Sequence, residues 1–267
     1  MDSPARWMPS VPERETIDVP TPAGGWRAPW PNVAEIEAVL PHTKWTLVGG
    51  LMTQLHGVNR GIDALRPTND IDMVLHVETT RGVAAEVTYA LESLGYRLAP
   101  PLDDRRGAAH RFERGGAVVD LVARVSDVVD VLVADHAAPT VLESLRGTRM
   151  VAVEGGTQAL RRTVNARLEI ERGQVTTISV PSALDALILK EAAYQSDSRD
   201  RNRHLQDAAV LLSVIDDPRA ARQQFAGSDR SRLLFLARAL PDDARAWRSL
   251  AEPWRTDGQT ALRILLA

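Results

Sequence analysis

The pattern of apolar and polar positions divides the chain into a mixed part and a helical part. Between residues 32 and 180, short apolar runs such as 44–48 and 70–75 predict buried strands, whereas residues 83–94 carry an apolar stripe at helical spacing. After residue 180, apolar positions recur at helical spacing and prolines interrupt them. The pattern predicts an α/β (α+β) fold with a mixed sheet over residues 32–180, followed by an α-helical bundle over residues 181–267.

The first 31 residues differ in composition from the rest. They contain seven prolines and the tryptophans Trp7, Trp26 and Trp30. Proline restricts the backbone and removes a hydrogen-bond donor, while tryptophan offers a large surface for packing. We therefore predict an extended arm over residues 1–31 that packs along its own core, with docking against another protein as the alternative.

Local signals mark the ends of several elements. Asn32 followed by Glu35 resembles a capping box for the first helix, and Ser182 followed by Asp185 resembles one for the first C-terminal helix. The other predicted elements are a hairpin formed by residues 109–114 and 117–123, strands extending the sheet over 164–170 and 175–180, and helices over 199–215, 219–240 and 245–266, the last two broken by Pro241 and Pro253.

A glycine pair stands between the first predicted strand and a predicted helix. Gly49 and Gly50 follow the apolar run 44–48, and residues 51–56 open the helix. Glycine lets the backbone turn sharply and approach a ligand closely, because it has no Cβ. Backbone N–H groups at a helix start favour a phosphate. This stretch therefore predicts a place for phosphates.

Two carboxylates follow on the next predicted strand. Asp70 and Asp72 are two residues apart, so on a strand their side chains lie on the same face. The two charges repel each other, and a divalent cation removes that penalty. Oxygen ligands without cysteine or paired histidine favour Mg²⁺ or Mn²⁺ over Zn²⁺. The alternative is a solvated strand face whose aspartates do nothing.

A further carboxylate lies inside an apolar run. Residues 117–122 are apolar except for Asp120, and an unpaired charge there is costly. A strand beside that of the first two aspartates would bring Asp120 to the same metal ions, as two-metal transfer requires. An edge-strand aspartate facing water is the alternative. Weaker candidates, whose neighbours are typical of loops, are Asp103, Asp104 and Asp130.

The spacing of these residues resembles that of a known family. Gly49-Gly50 followed by Arg66-x-Thr68-x-Asp70-Ile71-Asp72 resembles the nucleotidyltransferase superfamily with the DNA polymerase β-type palm. It is most similar to the AbiEii branch, which includes the MenT-like toxins. The resemblance covers about residues 32–215.

The C-terminal part matches the same branch in part. The branch carries a lysine on the first of these helices, matched by Lys190, and a motif on the next helix whose last aspartate is matched by Asp207. Arg203-His204 stands where the branch usually has Lys-Asp.

The resemblance implies transfer of a nucleotidyl group from an NTP to an acceptor hydroxyl, with Mg²⁺ or Mn²⁺ as cofactor. The implied metal ligands are Asp70, Asp72 and Asp120. The implied nucleotide-binding residues are Gly49, Gly50, Arg66, Thr68 and Lys190. The implied catalytic residues are Asp70, Asp72, Asp120, Lys190 and Asp207. In this scheme Lys190 neutralises the triphosphate, and Asp207 orients Lys190 or the acceptor.

Other interpretations of the same residues stay open. The resemblance implies that the acceptor is an RNA 3′ end, with tRNA favoured. It also implies that the protein is a growth-inhibiting toxin with a cognate antitoxin protein. A protein hydroxyl or an antibiotic hydroxyl is an alternative acceptor, and a palm that binds nucleotide or RNA without turnover is a different class. Arg66 could be a surface loop arginine, and Lys190 could extend from a half-buried helix face to water.

Charge restricts where RNA could bind. The formal net charge of −3 argues against a surface that coats nucleic acid generally, so a basic groove between the two parts would have to be local. Candidates for that groove are Arg199, Arg201 and Arg203, with a solvated helix start as the alternative. Of the 32 basic residues only Lys44 and Lys190 are lysines, so composition alone would not choose lysine at position 190.

Two features that the sequence lacks exclude other classes of active site and of cellular location. The chain has no cysteine, which excludes disulfides, thiolate catalysis and Cys-ligated zinc. No apolar segment follows a basic start as in a signal peptide, and no run approaches the about 20 apolar residues of a membrane span. We therefore predict a cytoplasmic protein that does not contact a membrane.

Overall fold

The computed structural model describes residues 14–63, 65–100, 108–115, 127–137 and 144–267. Its strands are β1 (Thr16–Asp18), β2 (Trp45–Val48), β3 (Asp70–Leu75), β4 (Arg97–Leu98), β5 (Ala108–Ala109), β6 (Arg111–Arg114), β7 (Asp127–Ala134), β8 (Ser144–Leu145), β9 (Thr148–Val153), β10 (Thr163–Glu171) and β11 (Gln174–Pro181). Its α-helices are α1 (Trp30–Val39), α2 (Gly49–Arg60), α3 (Val83–Ser93), α4 (Gly156–Ala159), α5 (Ala183–Ser196), α6 (Arg201–Ser213), α7 (Pro218–Gln223), α8 (Asp229–Ala239) and α9 (Trp254–Leu266). Short 3₁₀ helices cover His42–Lys44 and Arg245–Ser249.

A mixed sheet forms the centre of the fold. Its strands follow the order β2-β3-β7-β6-β4. β3 pairs antiparallel with β2 and parallel with β7, and β9 pairs parallel with the end of β7. Ile71 and Met73 on β3 are fully buried, so the alternation of side chains along a strand places Asp70 and Asp72 on the opposite face. The predicted α/β fold with a mixed sheet is confirmed.

A smaller sheet packs beside the main one. Its order is β1-β10-β11, and β10 pairs antiparallel with β11. The prediction that these two strands extend the main sheet is wrong, because within the described residues β10 pairs with β1 and β11. The two sheets meet through side chains: the hydroxyl of Thr46 on β2 lies 3.0 Å from that of Ser179 on β11.

Part of the N-terminal arm packs on the core, as its tryptophans predict. β1 pairs parallel with β10. Trp26 and Trp30 are buried, with ring centroids 4.6 Å apart. The arm therefore contains a strand, and its second half packs on the core of the same chain. Trp7 lies outside the described residues.

Residues 181–267 are largely helical, as predicted. Ser182 caps α5, since its hydroxyl accepts a hydrogen bond from the backbone N–H of Asp185. None of the helices in the described ranges has the length and apolar character needed to cross a bilayer. The cytoplasmic location stays a prediction.

Two helix predictions are wrong. The capping box at Asn32 does not form, because α1 already begins at Trp30, directly after Pro29. The single helix predicted over 219–240 is divided into α7 and α8. The chain turns between them at Gly227, whose φ of 56° is a conformation that favours glycine.

The predicted hairpin falls partly outside the described residues. β6 covers its first half, and residues 117–123 lie outside the described ranges. β6 pairs antiparallel with β7. β7 itself covers a stretch for which the apolar pattern predicted no element, yet it lies in the middle of the main sheet, between β3 and β6.

A buried ion cluster connects the start of β10 with two helices. Arg162 Nε donates to both oxygens of Asp185 on α5, at 3.0 and 2.8 Å, and Nη2 donates to Asp229 on α8 at 2.8 Å. Both aspartates are fully buried. The pKa of Asp185 is raised to about 6 by burial, which outweighs the opposing effect of Arg162. One guanidinium therefore compensates two buried carboxylates.

Replacing Arg162 with Met tests this cluster. We expect the free energy of unfolding at pH 7.5 to fall by about 3–5 kcal/mol, because two buried carboxylates lose their cation. In the variant, the folded-state pKa of Asp185 lies further above its unfolded value of about 3.9, so stability declines as pH rises through the folded pKa. The loss should therefore be smaller at pH 5. Urea unfolding at both pH values measures it.

The matched control is Arg161→Met, since Arg161 is the exposed neighbour of Arg162. We expect it to change the free energy of unfolding by about 0.5 kcal/mol or less. Equal losses in the two variants, or a loss in Arg162→Met that is the same at both pH values, would contradict this interpretation of the cluster.

Candidate functional site

Three aspartates meet on one face of the main sheet. Asp70 and Asp72 lie on β3, and Asp130 lies directly opposite Asp72 on β7. Carboxylate oxygens of the three lie within 4.8 Å of one another. Residues in register on neighbouring strands point to the same face, so the parallel pairing of β3 with β7 produces this cluster. We call Asp70, Asp72 and Asp130 the acidic triad; its three carboxylates could hold a metal ion.

The third member of the triad differs from the residue that the sequence pattern favoured. Asp120 lies outside the described residues, as do Asp103 and Asp104. The expectation that Asp130 lies in a loop is wrong, because Asp130 is inside β7 and only 7% exposed. A signal was present: residues 128–133 are apolar except for Asp130, the same pattern that drew attention to Asp120.

The glycine pair packs directly against the triad. α2 begins at Gly49, whose φ of 69° favours glycine. A Cβ at Gly49 would lie 1.8 Å from Oδ2 of Asp72, and a Cβ at Gly50 would lie 2.7 Å from Oγ1 of Thr68. Thr68 in turn donates a hydrogen bond to Oδ1 of Asp70 at 2.6 Å. Any larger residue in the pair would therefore displace the triad or its support.

Arg111 on β6 holds the third carboxylate. Its Nε and Nη2 donate to the two oxygens of Asp130 at 2.9 and 2.8 Å. These hydrogen bonds raise the pKa of the Arg111 guanidinium and fix the orientation of the carboxylate. We did not predict Arg111 from the sequence, because its partner was not recognised as a site residue.

The triad carries more negative charge than its surroundings compensate. The pKa of Asp72 is raised to about 7, first by burial and then by the charges of Asp70 and Asp130, while Lys190 and Arg203 act in the opposite direction. A divalent cation would remove this penalty, and an all-oxygen donor set suits Mg²⁺ or Mn²⁺. The residues present therefore fit such an ion.

A buried ion pair borders the same cleft. Nζ of Lys190 on α5 lies 2.8 Å from Oδ2 of Asp207 on α6, as the sequence led us to expect. Arg66 donates to the two oxygens of Asp207 at 3.3 and 3.2 Å. Burial alone would raise the pKa of Asp207, but Lys190 and Arg66 together lower it below its usual value. Asp207 is therefore ionised and holds two cations beside the triad.

A cleft of about 380 Å³ brings these groups together. The predicted residues in its lining are Gly49, Gly50, Arg66, Thr68, Asp70, Asp72 and Lys190, joined by Asp130 and Arg111. Asp207 lies behind Lys190 and Arg66 rather than in the lining. Arg199 and Arg203 also line the cleft, whereas the guanidinium of Arg201 stacks on Tyr194, 4.4 Å from its ring centroid.

No protein-family model, curated protein or solved structure matches this chain. A functional assignment therefore depends on two observations, the geometry of the cleft and the resemblance in the spacing of its residues. The geometry adds one residue, Asp130, that the resemblance did not identify.

A histidine–aspartate pair at the edge of the cleft was not predicted either. Nε2 of His204 lies 3.0 Å from Oδ2 of Asp197, and Oδ1 of the same carboxylate accepts hydrogen bonds from the backbone N–H groups of Arg199 and Asp200. Burial lowers the pKa of His204, although Asp197 opposes the change. The imidazole is therefore neutral at pH 7, and the pair fixes the turn between α5 and α6.

The raised pKa of Asp72 predicts a pH dependence of stability without added metal. In the unfolded chain the pKa of an aspartate is about 3.9, so between about pH 4 and pH 7 the folded protein binds a proton that the unfolded chain has lost. Stability from this group is complete below pH 4 and lost as pH rises through about 7. We expect Asp72→Asn to gain on the order of 2 kcal/mol over wild type between pH 5 and pH 8 in EDTA.

Urea unfolding at the two pH values measures that gain. Asp63→Asn is the control, because Asp63 is exposed and lies outside the cleft. If Asp72→Asn and wild type show the same pH dependence, the carboxylate of Asp72 is not under the repulsion described above.

Proposed function

We propose that this chain is a metal-dependent nucleotidyltransferase, with a palm over residues 32–180 followed by a helical bundle. The observation that carries the proposal is the acidic triad with the Gly49-Gly50 turn packed against it. Carboxylates that converge beside a glycine turn at a helix start suit a substrate that brings both phosphates and cations. The resemblance in residue spacing supports the same reaction class.

In the proposed reaction an acceptor hydroxyl attacks the α-phosphorus of an NTP. The new bond joins the acceptor oxygen to the α-phosphorus, the bond to the bridging oxygen breaks, and pyrophosphate and a proton are released. Asp70, Asp72 and Asp130 would hold the Mg²⁺ ions. Bound Mg²⁺ would neutralise charge on the transferring phosphate and favour ionisation of the hydroxyl.

The protein's own cations would bind the triphosphate. Lys190 is only 5% exposed and its Nζ is paired with Asp207, so it offers a positioned ammonium at the cleft. Arg66 reaches the same cleft and can exchange its contact with Asp207 for a phosphate, since carboxylate and phosphate both match the guanidinium fork. Backbone N–H groups at the start of α2 face the same region.

We further propose an RNA 3′ end as the acceptor, with tRNA favoured, and a toxin role with a cognate antitoxin protein. The resemblance supplies this part of the proposal. Arg199 and Arg203 in the lining of the cleft support a polyanionic acceptor. A protein hydroxyl, an antibiotic hydroxyl and a palm without turnover are the alternatives that an experiment must separate.

Incubation with each α-labelled NTP, Mg²⁺ and total RNA tests the reaction and the acceptor together. We expect label in RNA, and a loss of at least about 100-fold in Asp72→Asn and Asp130→Asn, because charge on the transferring phosphate loses its support. Asp63→Asn is the folded control. Label in protein, or only with an added aminoglycoside-type hydroxyl compound, would replace the RNA acceptor; no label anywhere, or full activity in Asp72→Asn, would contradict the enzyme assignment.

Variants of Lys190 test whether the shape of the cationic group, and not only its charge, matters for turnover. We expect Lys190→Arg to lose turnover nearly as completely as Lys190→Ala, by about 100-fold, because a wide planar group does not fit a site already shared with Asp207 and Arg66. Because the pair is buried, we also expect the free energy of unfolding to fall by on the order of 2 kcal/mol in Lys190→Ala. Assays therefore use conditions in which circular dichroism shows both variants folded.

The matched control is Lys44→Arg, since Lys44 pairs with Glu86 away from the cleft. It should keep full activity. If Lys190→Arg also keeps it, charge alone is sufficient at position 190, and if Lys190→Ala keeps it, Lys190 does not bind the triphosphate.

A further inference from the structure

A second groove opens beside the active-site cleft. It has a volume of about 610 Å³ and is lined by parts of α6, α8 and the 3₁₀ helix Arg245–Ser249. Arg66, Asp200 and Arg203 line both the groove and the cleft. The two concave surfaces are therefore continuous, and a chain lying in the groove can reach the acidic triad.

The groove has a strong positive charge. Its lining contains Arg66, Arg203, Arg238 and Arg245, and within the described part of the chain Asp200 is the one carboxylate that lines it. Asp242 and Asp243 lie between two lining residues in the chain but not in the lining itself, and Asp242 is 4.0 Å from Arg263. We call this surface the arginine groove. Its charge is local, because the whole chain has a formal net charge of −3.

Two of these arginines have no partner in the folded protein. The side chains of Arg238 and Arg245 are exposed, and within the described ranges neither makes a hydrogen bond or an ion pair. Two arginines elsewhere in the C-terminal part are engaged: Arg232 contacts Glu191 at 2.9 Å, and Arg255 donates to backbone carbonyls. Two unpaired guanidinium groups on one concave wall are suited to an anionic ligand.

We propose that the arginine groove binds the sugar–phosphate backbone of the acceptor RNA upstream of its 3′ end, which then enters the cleft past Arg66 and Arg203. This inference rests on the proposed function, because it assigns a place to that reaction's acceptor. The guanidinium fork matches phosphate oxygens. Among the described residues of the lining none is aromatic, so contact with the RNA backbone is favoured over stacking of bases.

Binding and turnover have to be measured separately to test the groove. Arg238→Gln/Arg245→Gln removes the two unpaired charges, and Arg222→Gln/Arg248→Gln is the matched control. Arg248 lies on the same 3₁₀ helix as Arg245, and Arg222 and Arg248 are both exposed and line neither the groove nor the cleft. All variants are first made in the Asp72→Asn background, so that no transfer occurs during the titration.

The probe is a fluorescein-labelled single-stranded RNA of about 12 nucleotides, within the range that such grooves cover. We expect the groove variant to weaken binding by at least about tenfold at low salt and to reduce the slope of log K against log salt by about 1.4, from two lost phosphate contacts. The control should stay within about twofold of the Asp72→Asn parent. Equal weakening in both, or none in the groove variant, would overturn the proposal.

An acidic peptide is the competing occupant. If a poly-glutamate peptide binds more tightly than the RNA and shows the same dependence on Arg238 and Arg245, the groove takes acidic protein and the RNA assignment is wrong. If the peptide neither competes nor depends on the two arginines, the RNA assignment stands.

Kinetics in the wild-type background separate this proposal from the proposed function. The groove variant should raise KM for RNA at least about tenfold, with kcat and KM for NTP close to wild type, because the triad and the nucleotide cleft are unchanged. If the groove variant transfers to RNA with an unchanged KM, the RNA-binding role of the groove is wrong and the enzyme assignment still stands. If RNA binding depends on the groove but no NTP supports transfer, the enzyme assignment is wrong and the RNA-binding role of the groove still stands.

Discussion

Repulsion among three carboxylates is the constraint around which the rest of the site is arranged. Parallel pairing of β3 with β7 brings Asp70, Asp72 and Asp130 within 4.8 Å of one another. Arg111 neutralises one of the three charges, and burial leaves Asp72 with a pKa raised to about 7. A folded protein tolerates such a cluster where function requires it, because an arriving cation converts the unfavourable charge into binding energy.

The same constraint explains why the glycine pair cannot be replaced. Gly49 and Gly50 allow the start of α2 to pack against Asp72 and Thr68 at distances that a Cβ would not permit. The helix start, its backbone N–H groups and the acidic triad are therefore held in one small volume. At the border of the cleft, Asp207 forms ion pairs with both Lys190 and Arg66 and holds the two cations in place. Carboxylates that can bind cations and basic groups that can bind phosphates thus face a common space, and the proposed transfer of a nucleotidyl group would need both.

Elements with a strong local signal could be predicted from the sequence, and elements defined by long-range pairing could not. The strand carrying Asp70 and Asp72, the glycine turn and the Ser182 cap follow from spacing and residue type. The pairing of Lys190 with Asp207 was expected from the family resemblance. The place of Asp130 could not be predicted in this way, because it depends on the register of β7 against β3. Register is a property of two strands that are distant in sequence. Arg111 was missed for the same reason. The smaller sheet was assigned wrongly because alternation shows that β10 and β11 are strands but not which strands they pair with.

Binding of Mn²⁺, followed by electron paramagnetic resonance at pH 8 in the presence of a non-hydrolysable NTP analogue, tests the acidic triad most directly. We predict bound Mn²⁺ in wild type and at least about a tenfold weaker affinity in Asp130→Asn. Asp127→Asn should bind like wild type, since Asp127 lies on the same strand but contacts Arg114. Measuring Mn²⁺ binding in Asp120→Asn as well shows whether Asp120, which the sequence pattern favoured, or Asp130 of the acidic triad is the third metal ligand. Unchanged Mn²⁺ binding in Asp130→Asn, together with its loss in Asp120→Asn, would contradict this account of the site.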